Sequence, residues 1–431
     1  MAEQAEPGWE ALATDSPIPL DAPIVKQRHG VLALLSSLSI ILFLDRICIA
    51  VAGPRIQDEL GIPPDRWGWV LGAFMLAYGL FEIPTGAMGD RLGQRRVVTR
   101  IVLWWSAFTA MTGAVSAWVS LVLVRFLFGA GEAGAYPNAS GSIARWFPAG
   151  ERARAQGWVL GAGRFGGALT PLLVVPIQRA FGWRASFWIF GAVGVVWALC
   201  WQRLYRDSPA EHPAITPGEL EEIGAGASPW THAPIPYGTL LRQRTLWLIV
   251  AMYGCYAWGP WFYFTWLQTW LVKGRGFSEA EMGALSTLPF LLGAAANLAG
   301  GWLSDRMTRR DPRARSWIGL ASGTVAALCL AGAALLPGKL AAIGLATIGF
   351  GAMDLMLPSA WAVCLDVGDR YAGTITGAMN SAGALGGALC AIVFGYIVRD
   401  TGSYDLPLLV IATSLFASAL LFSRIDPRDR L

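Results

Sequence analysis

GAMGDRLGQRR at residues 86–96 and GWLSDRMTRR at residues 301–310 are two versions of one charged loop, and both stand between long apolar runs. Asp90 of the first loop aligns with Asp305 of the second, and the two positions are 215 residues apart in a chain of 431. A pattern that recurs after half the chain indicates two matching halves.

A second pair of segments supports this duplication, at an offset of 216 residues. It makes Arg164 and Asn380 repeat-mates, each among glycines. The aligned positions are Arg154, Gly157, Gly161, Arg164 and Gly167 with Arg370, Gly373, Gly377, Asn380 and Gly383. Such small residues allow helices to pack closely.

The composition indicates a membrane protein. Hydrophobic residues make up 55% of the chain and charged residues only 14%, whereas soluble domains carry about 25% charged residues. An apolar run of about 20 residues spans a bilayer, and it must be helical because lipid offers its backbone no hydrogen bonds. The runs are 30–51, 66–87, 97–115, 118–143, 155–178, 183–204, 244–272, 280–303, 316–336, 340–365, 371–398 and 404–423.

We therefore predict an all-α membrane protein with twelve transmembrane helices in two pseudo-symmetric six-helix bundles. The longest hydrophilic stretch, near the middle of the chain, reads as a linker between the bundles. The predicted parts are an N-terminal cytoplasmic tail 1–29, a first bundle 30–204, a cytoplasmic linker 205–243, a second bundle 244–423 and a C-terminal cytoplasmic tail 424–431.

Arginine is concentrated in alternate loops, which predicts the orientation of the chain. The loops after the second, fourth, eighth and last spans are arginine-rich, whereas the loop at 112–117 carries no charge. The positive-inside rule places the arginine-rich loops, and with them both termini, in the cytoplasm. We expect a multi-pass protein of the inner (plasma) membrane, acting as a monomer in the lipid bilayer.

Several classes of function are disfavoured. The six cysteines are scattered singly through apolar segments, and no H-E-x-x-H or G-x-S-x-G motif occurs, so we expect no enzyme, no metal and no cofactor. The arginines form short clusters between apolar runs and not a continuous basic surface, so we expect no binding of nucleic acid. All three histidines lie in tails or loops, so any proton coupling would depend on carboxylates.

The repeated G-x-x-x-D-R motif resembles the signature loop of the major facilitator superfamily, and the resemblance covers essentially the whole chain. Physically, Asp90 can cap a helix end and pair with arginines of a neighbouring helix. Such pairs would latch the cytoplasmic side and break when the halves move. The predicted latch comprises Asp90, Arg91, Arg95, Asp305 and Arg306; the alternative is a cluster that only sets topology.

Four further stretches resemble the anion:cation symporter branch of that superfamily. They are FLDRICIAVAGPRI at 43–56, VRFLFGAGEAGAYPNAS at 124–140, YFTWLQTWL at 263–271 and GAMNSAGALGG at 377–387. By this resemblance Arg46 binds a substrate carboxylate and Asn380 contacts the substrate. The same resemblance implies that Asp45 and Glu132 carry coupling protons.

Charges inside spans are costly, at roughly 2.5–3.5 kcal/mol each on insertion scales, so they usually have a partner or a function. Arg125 and Glu132 are seven residues apart, which places both on one helix face. We predict that Arg125 is held through a neighbouring group or water while Glu132 is charged, and is free for an anion once Glu132 is protonated. For Asp45 and Arg46 the alternative is a structural ion pair to another helix.

Arg164 stands among glycines where the resembled branch is expected to carry a neutral polar residue. Arginine can bind a carboxylate through two parallel hydrogen bonds. Arg164 therefore suggests a second anionic group on the substrate. The alternative is a pair with Glu82 or Asp354, for both of which a structural role is favoured.

The seventh predicted span is rich in aromatic residues, and Tyr253, Tyr256 and Tyr263 share one helix face with Pro260. That face could close over a cavity as a gate, with the hydroxyls of Tyr253 and Tyr256 meeting the substrate. The alternative is that these aromatics face lipid or the membrane interface.

The sequence thus predicts a secondary active transporter that takes up a small organic anion with protons by alternating access. A sugar acid such as a hexuronate, aldonate or aldarate is the first choice of substrate. The alternatives are an aromatic or other dicarboxylate such as phthalate, sodium coupling or antiport, and a sensor that binds without transport.

Overall fold

The computed structural model describes residues 26–224, 241–311, 313–368 and 372–429, and these fold almost wholly into helices. The first half contains α1 (Gln27–Leu60), α2 (Pro64–Leu92), α3 (Gln94–Thr112), α4 (Trp118–Glu132), α5 (Ala135–Trp146), α6 (Ala149–Phe181) and α7 (Trp183–Leu204). The linker carries α8 (Pro217–Ile223). The second half contains α9 (Arg244–Thr265), α10 (Glu279–Leu285), α11 (Thr287–Thr308), α12 (Ala314–Leu335), α13 (Lys339–Gly368), α14 (Ala372–Thr401) and α15 (Leu406–Ser423).

The helices confirm the predicted membrane architecture. Within the described ranges, nine helical segments are long and apolar enough to cross a membrane. The segments that begin with α2, α3 and α9 complete the twelve spans. The seventh span, which begins with α9, continues through a short helix at Leu267–Thr269 and a π-helical turn at Trp270–Gly274.

Two spans differ from their predicted form. α1 continues past residue 51 to Leu60, where Gly61 takes a left-handed conformation with φ of 61° and ends the helix. The fourth span consists of α4 and α5, because Gly134 has φ of 87° and interrupts the helix directly after Glu132. The Asn138 amide donates a hydrogen bond of 2.7 Å to the carbonyl of Gly134 and fixes the break.

The two halves are each held by helix pairs and meet along two seams. Within the halves α1 packs along α6, α3 along α7, and α13 against both α11 and α12. Between the halves α2 packs along α14 and α6 along α11. Glycines make the first seam close: a Cβ on Gly68 would lie 2.7 Å from the carbonyl oxygen of Ala391.

Ion pairs close the seam at the end of the molecule opposite the described chain ends, which we call the far end. Arg55 of α1 donates to both carboxyl oxygens of Glu279 at 2.6 Å, a fork-shaped contact between the halves. Two further pairs join the halves there: Lys273 with Asp58 at 2.6 Å and Arg399 with Asp65 at 3.5 Å.

The opposite end, which carries both described chain ends and which we call the termini end, is open. A Cβ added to Gly157 or Gly161 of α6, or to Gly377 of α14, would meet no atom within 4 Å. Among the described side chains, hydrogen bonds and ion pairs join the halves only at the far end and at mid-depth. Among the described residues the halves therefore leave a space between them at the termini end, which we call the chamber.

The linker helix α8 is docked on the start of α1. The Glu219 carboxylate accepts the backbone N–H groups of Gln27 and Arg28, each at 2.9 Å, and so caps α1 from outside its own sequence. Glu222 pairs with Lys26 at 2.5 Å and with Arg28 at 2.9 Å. Most of the predicted tail 1–29 and residues 225–240 of the linker lie outside the described residues.

Candidate anion-binding site

The charged residues singled out in the sequence meet at mid-depth, at the closed end of the chamber. α1 brings Asp45 and Arg46, α4 brings Arg125 and Glu132, and α6 brings Arg164. All five are buried or nearly so, in a part of the molecule walled by aromatic rings. Burial among apolar walls strengthens the electrostatic interactions of these groups.

Arg46 and Glu132 form an ion pair between α1 and α4. The Arg46 Nε and Nη2 groups both donate to a single oxygen of Glu132, with the Nε–Oε1 distance at 3.0 Å. The other oxygen, Oε2, is buried and accepts no hydrogen bond from the described residues. Glu132 is thus held by Arg46 and not by the Arg125 of its own helix, because Arg125 lies two turns away along the axis.

An aromatic cage surrounds the Arg46 guanidinium. Its Cζ lies 5.1 Å from the ring centre of Phe74, 5.0 Å from Tyr78 and 5.8 Å from Trp261. Trp261 belongs to the second half, so the cage draws on both halves. These rings could not be recognised as site residues from the sequence, because an aromatic residue near a cavity has the same pattern there as one that faces lipid.

Arg125 is buried without an acidic partner among the described residues. Its guanidinium Cζ lies 4.4 Å from the ring centre of Phe128 and 5.1 Å from that of Phe74, so Phe74 contacts both Arg46 and Arg125. The Nε group has no hydrogen-bond acceptor among the described residues. A buried cation of this kind provides a ready attraction for an anion.

Asp45 lies on the face of α1 that is turned into the first half, near Arg125 of α4 and Trp105 of α3. It is 1% exposed, and neither carboxyl oxygen accepts a hydrogen bond of normal geometry from a described residue. A carboxylate buried in this way is costly as an anion and much less so with a proton bound. The proton-carrying role that the family resemblance implies for Asp45 stays a prediction.

Arg164 forms an ion pair across the two halves. Its Nη2 group donates to Oδ1 of Asp354 on α13 at 2.8 Å. Asp354 is fully buried, and Arg164 remains 14% exposed to the chamber. Of the two partners that the sequence left open for Arg164, the structure selects Asp354.

Glu82 instead bonds Asn380, the repeat-mate of Arg164. The Asn380 amide donates to both oxygens of Glu82, at 2.9 and 2.7 Å, and so joins α14 to α2. Both repeat-mates therefore make a polar bond to the opposite half. In this conformation the Asn380 amide group is engaged by Glu82.

Tyr253 and Tyr256 of the seventh span lie in the second half beside Asp354. Their rings pack 5.2 Å apart, and the Tyr256 hydroxyl donates to the Met353 carbonyl at 3.4 Å. Tyr256 is buried, whereas Tyr253 is half-buried. The ring of Tyr253 packs against Gly383 of α14.

The predicted latch residues lie apart from this site, at the open termini end. Arg91, Asp305 and Arg306 are exposed and make no ion pair with another described side chain. Arg95 instead donates to the Gln202 carbonyl at the end of α7, at 3.0 Å. The side chain of Asp90 lies outside what the structure describes.

Comparison with known proteins agrees with this architecture. The chain matches the Major Facilitator Superfamily over residues 35–391. It is 35% identical to the probable sulfoacetate transporter SauU of Cupriavidus necator, over 94% of this chain and 95% of that protein. It is 30% identical to the hexuronate transporter of Bacillus subtilis, over 88% of this chain and 90% of that protein.

The fold is also found among solved structures. A bacterial homolog of the human lysosomal transporter Spinster, in an inward-facing and occupied conformation, superposes with a TM-score of 0.78 at 20% identity. The match covers 94% of this chain and 98% of that chain. With its duplicated halves and its match over most of the sequence, the chain belongs to the major facilitator superfamily, in the anion:cation symporter branch, and is a transporter rather than an enzyme.

Proposed function

We propose that the protein is a proton-coupled symporter that carries a small organic anion into the cytoplasm by alternating access. The observation that carries this proposal is the arrangement of Arg46, Glu132 and Arg125. One arginine is held by a single oxygen of a buried carboxylate, and a second lies beside it without an acidic partner among the described residues. An anion can bind there once Glu132 gives up Arg46.

The proposed cycle follows from charge balance. Protons taken up by Asp45 and Glu132 leave Arg46 and Arg125 free to bind the acidic group of the substrate. The bound anion offsets one of the two arginine charges, which lowers the cost of moving the protonated site through the apolar interior as the halves rock. The arginine-rich loops favour an inner (plasma) membrane location with the termini end in the cytoplasm, and the open chamber then faces inward. We further propose that the carrier works as a monomer.

The names of the relatives guide the choice of substrate. Hexuronate, galactonate and glucarate transporters favour a sugar acid, our first candidate. The second candidate is a small acid with two anionic groups, such as sulfoacetate or an aromatic dicarboxylate. It is supported by Arg164 and by the 35% identity to a probable sulfoacetate transporter. A thermal-shift screen of purified protein against both classes separates them, because a ligand that binds the folded state raises its apparent stability.

Glu132→Gln tests the coupling. In proteoliposomes with an inward proton gradient we expect wild type to accumulate the anion, and the variant to exchange it across the membrane without accumulating it. Glu221→Gln, at an exposed position of α8, is the matched control and should accumulate the anion normally. Gradient-driven accumulation by Glu132→Gln would overturn the assigned coupling role, and accumulation on a sodium gradient alone would favour the sodium alternative.

A further inference from the structure

We infer that Arg164 and Asp354 form a second anion subsite, in which the far acidic group of a dianionic substrate replaces Asp354 on Arg164. The inference rests on the proposed function, and among its candidates it favours the acids with two anionic groups, such as an aldarate or sulfoacetate. It also gives a role to a buried carboxylate that the proton cycle at Asp45 and Glu132 does not use.

The Arg164–Asp354 bond is incomplete in the same way as the Arg46–Glu132 bond. In each pair one carboxyl oxygen accepts from the arginine while the other is buried without a donor among the described residues: Oε2 of Glu132 and Oδ2 of Asp354. A strong arginine–carboxylate pair uses both oxygens. Glu132 and Asp354 therefore each bind their arginine through a single oxygen. An incoming acid that offers two oxygens can bind the arginine more strongly.

The arginine also has unused hydrogen-bonding capacity. Only Nη2 of Arg164 makes a hydrogen bond to a described residue, although a guanidinium carries five N–H donors. Its Cζ lies 5.6 Å from the ring centre of Phe264 and 5.7 Å from that of Phe350. These rings contact the guanidinium but offer it no hydrogen-bond acceptor, so its remaining N–H groups can serve a bidentate acceptor.

A path leads to this group from the open end of the chamber. Gly157, Gly161 and Arg164 fall at i, i+4 and i+7 on α6, which places them on one helix face. A Cβ at either glycine would meet no atom within 4 Å, so the face beneath Arg164 borders open space. On the opposite side the pocket is tight, since a Cβ on Gly293 would lie 2.6 Å from Oδ2 of Asp354.

Displacement would leave Asp354 buried without a cation, and such a carboxylate becomes stable by taking up a proton. The titratable groups that face it are Arg164 from α6 and Tyr253 and Tyr256 from α9. From α11 it meets Gly293 and the Asn297 amide, which donates to its backbone carbonyl. Binding of a dianion thus breaks a bond between the halves, whereas a monoanion bound at Arg46 leaves that bond in place.

Matched acids test this subsite. Glucarate and gluconate differ by one terminal carboxylate against a hydroxymethyl group, and so do sulfoacetate and isethionate. In binding to purified wild type we expect the dianion of a pair to bind more tightly by roughly 10- to 100-fold, the equivalent of one charge-assisted hydrogen bond. Arg164→Gln should remove this preference, so that both acids of a pair bind about equally. Asp354→Asn should tighten dianion binding, because it removes the internal competitor.

Arg179→Gln, at an exposed position of the same helix, is the control and should keep the preference. If a single variant does not fold, the double variant Arg164→Gln/Asp354→Asn leaves no lone buried charge and should bind both acids of a pair equally. Equal binding of both acids by wild type, or equal weakening of both by Arg164→Gln, would overturn the subsite. Failure of wild type to bind any organic anion would instead refute the proposed function.

Discussion

At the scale of single residues, the bond between Arg46 and Glu132 combines charge with a defined geometry. Two N–H groups of one guanidinium converge on one carboxyl oxygen inside a ring of aromatic side chains. A lysine at this position would keep the positive charge but not the planar fork, and its ammonium group is more strongly hydrated. Geometry and charge can therefore be separated by mutation.

We expect Arg46→Lys to weaken binding of the transported anion by about tenfold and Arg46→Gln by roughly 100-fold, because the first loses only the bidentate geometry. Isothermal titration calorimetry of the purified protein measures both. Arg184→Lys, which alters a surface pair with Glu59, is the control and should bind normally. Wild-type affinity in Arg46→Lys would show that only charge matters at this position.

The identity of the charged residues could be predicted from the sequence, but their partners could not. Spacing along one helix showed that Arg125 and Glu132 share a face, and this suggested that they act together. The actual partner of Glu132 lies on α1, and that of Arg164 on α13. Such pairings depend on how helices are rotated against each other, which the spacing along a single helix does not determine.

At the scale of helices, the apolar runs predicted each span well and its ends less well. A run ends where polar residues begin, yet α1 continues to Leu60 because its polar last turns still satisfy their backbone groups within the helix. The break between α4 and α5 had a visible signal in Gly134 followed by Pro137. It places Glu132 at a helix end, facing Arg46.

The linker helix offers a test at this scale. We expect Glu219→Ala to release α8 and to destabilise the first turn of α1 by about 0.5–2 kcal/mol, the usual cost of a lost helix cap. Hydrogen exchange should then become faster in residues 217–223 and at the amides of Gln27 and Arg28. Glu221→Gln is the control, since this exposed side chain makes no described bond. Unchanged exchange in Glu219→Ala would contradict the capping role.

The docking should also depend on pH. Hydrogen bonds from Lys26 and then Arg28 lower the pKa of Glu222. A carboxyl whose folded pKa is lowered contributes stability above its unfolded pKa, and that contribution is lost as the pH falls through the lowered value. The ion-pair part of the docking is therefore complete at neutral pH and is lost only in acid, as the pH falls from the ordinary glutamate pKa through the lowered pKa of Glu222.

At the scale of the whole molecule, ion pairs join the halves at the far end, whereas the described residues of the two halves are apart at the termini end. The sequence predicted two halves but not this conformation, because both states of a rocking carrier satisfy the same apolar pattern. The conformation follows from cross-half contacts such as Arg55 with Glu279. These contacts are partly exposed, and a pair of this kind contributes only about 0.2–1 kcal/mol.

We therefore expect Arg55→Gln to raise the population open at the far end by a few fold. Val175, buried against Gly283 in this seam, can be replaced by cysteine and labelled by an impermeant maleimide applied from the far side. Labelling should be faster with Arg55→Gln, and the charge exchange Arg55→Glu/Glu279→Arg should restore slow labelling. Equal rates in all three backgrounds would mean that this pair does not hold the seam.

The repeat-mates Arg164 and Asn380 have one more consequence. If the two halves were identical, a bound substrate would meet the same side chains on either side of the twofold axis that relates them. Here a cation stands on one side and a neutral amide at the equivalent place on the other. An elongated substrate whose two ends differ chemically would then bind in only one of its two possible orientations. The duplicated fold would therefore select the direction of the substrate as well as its charge.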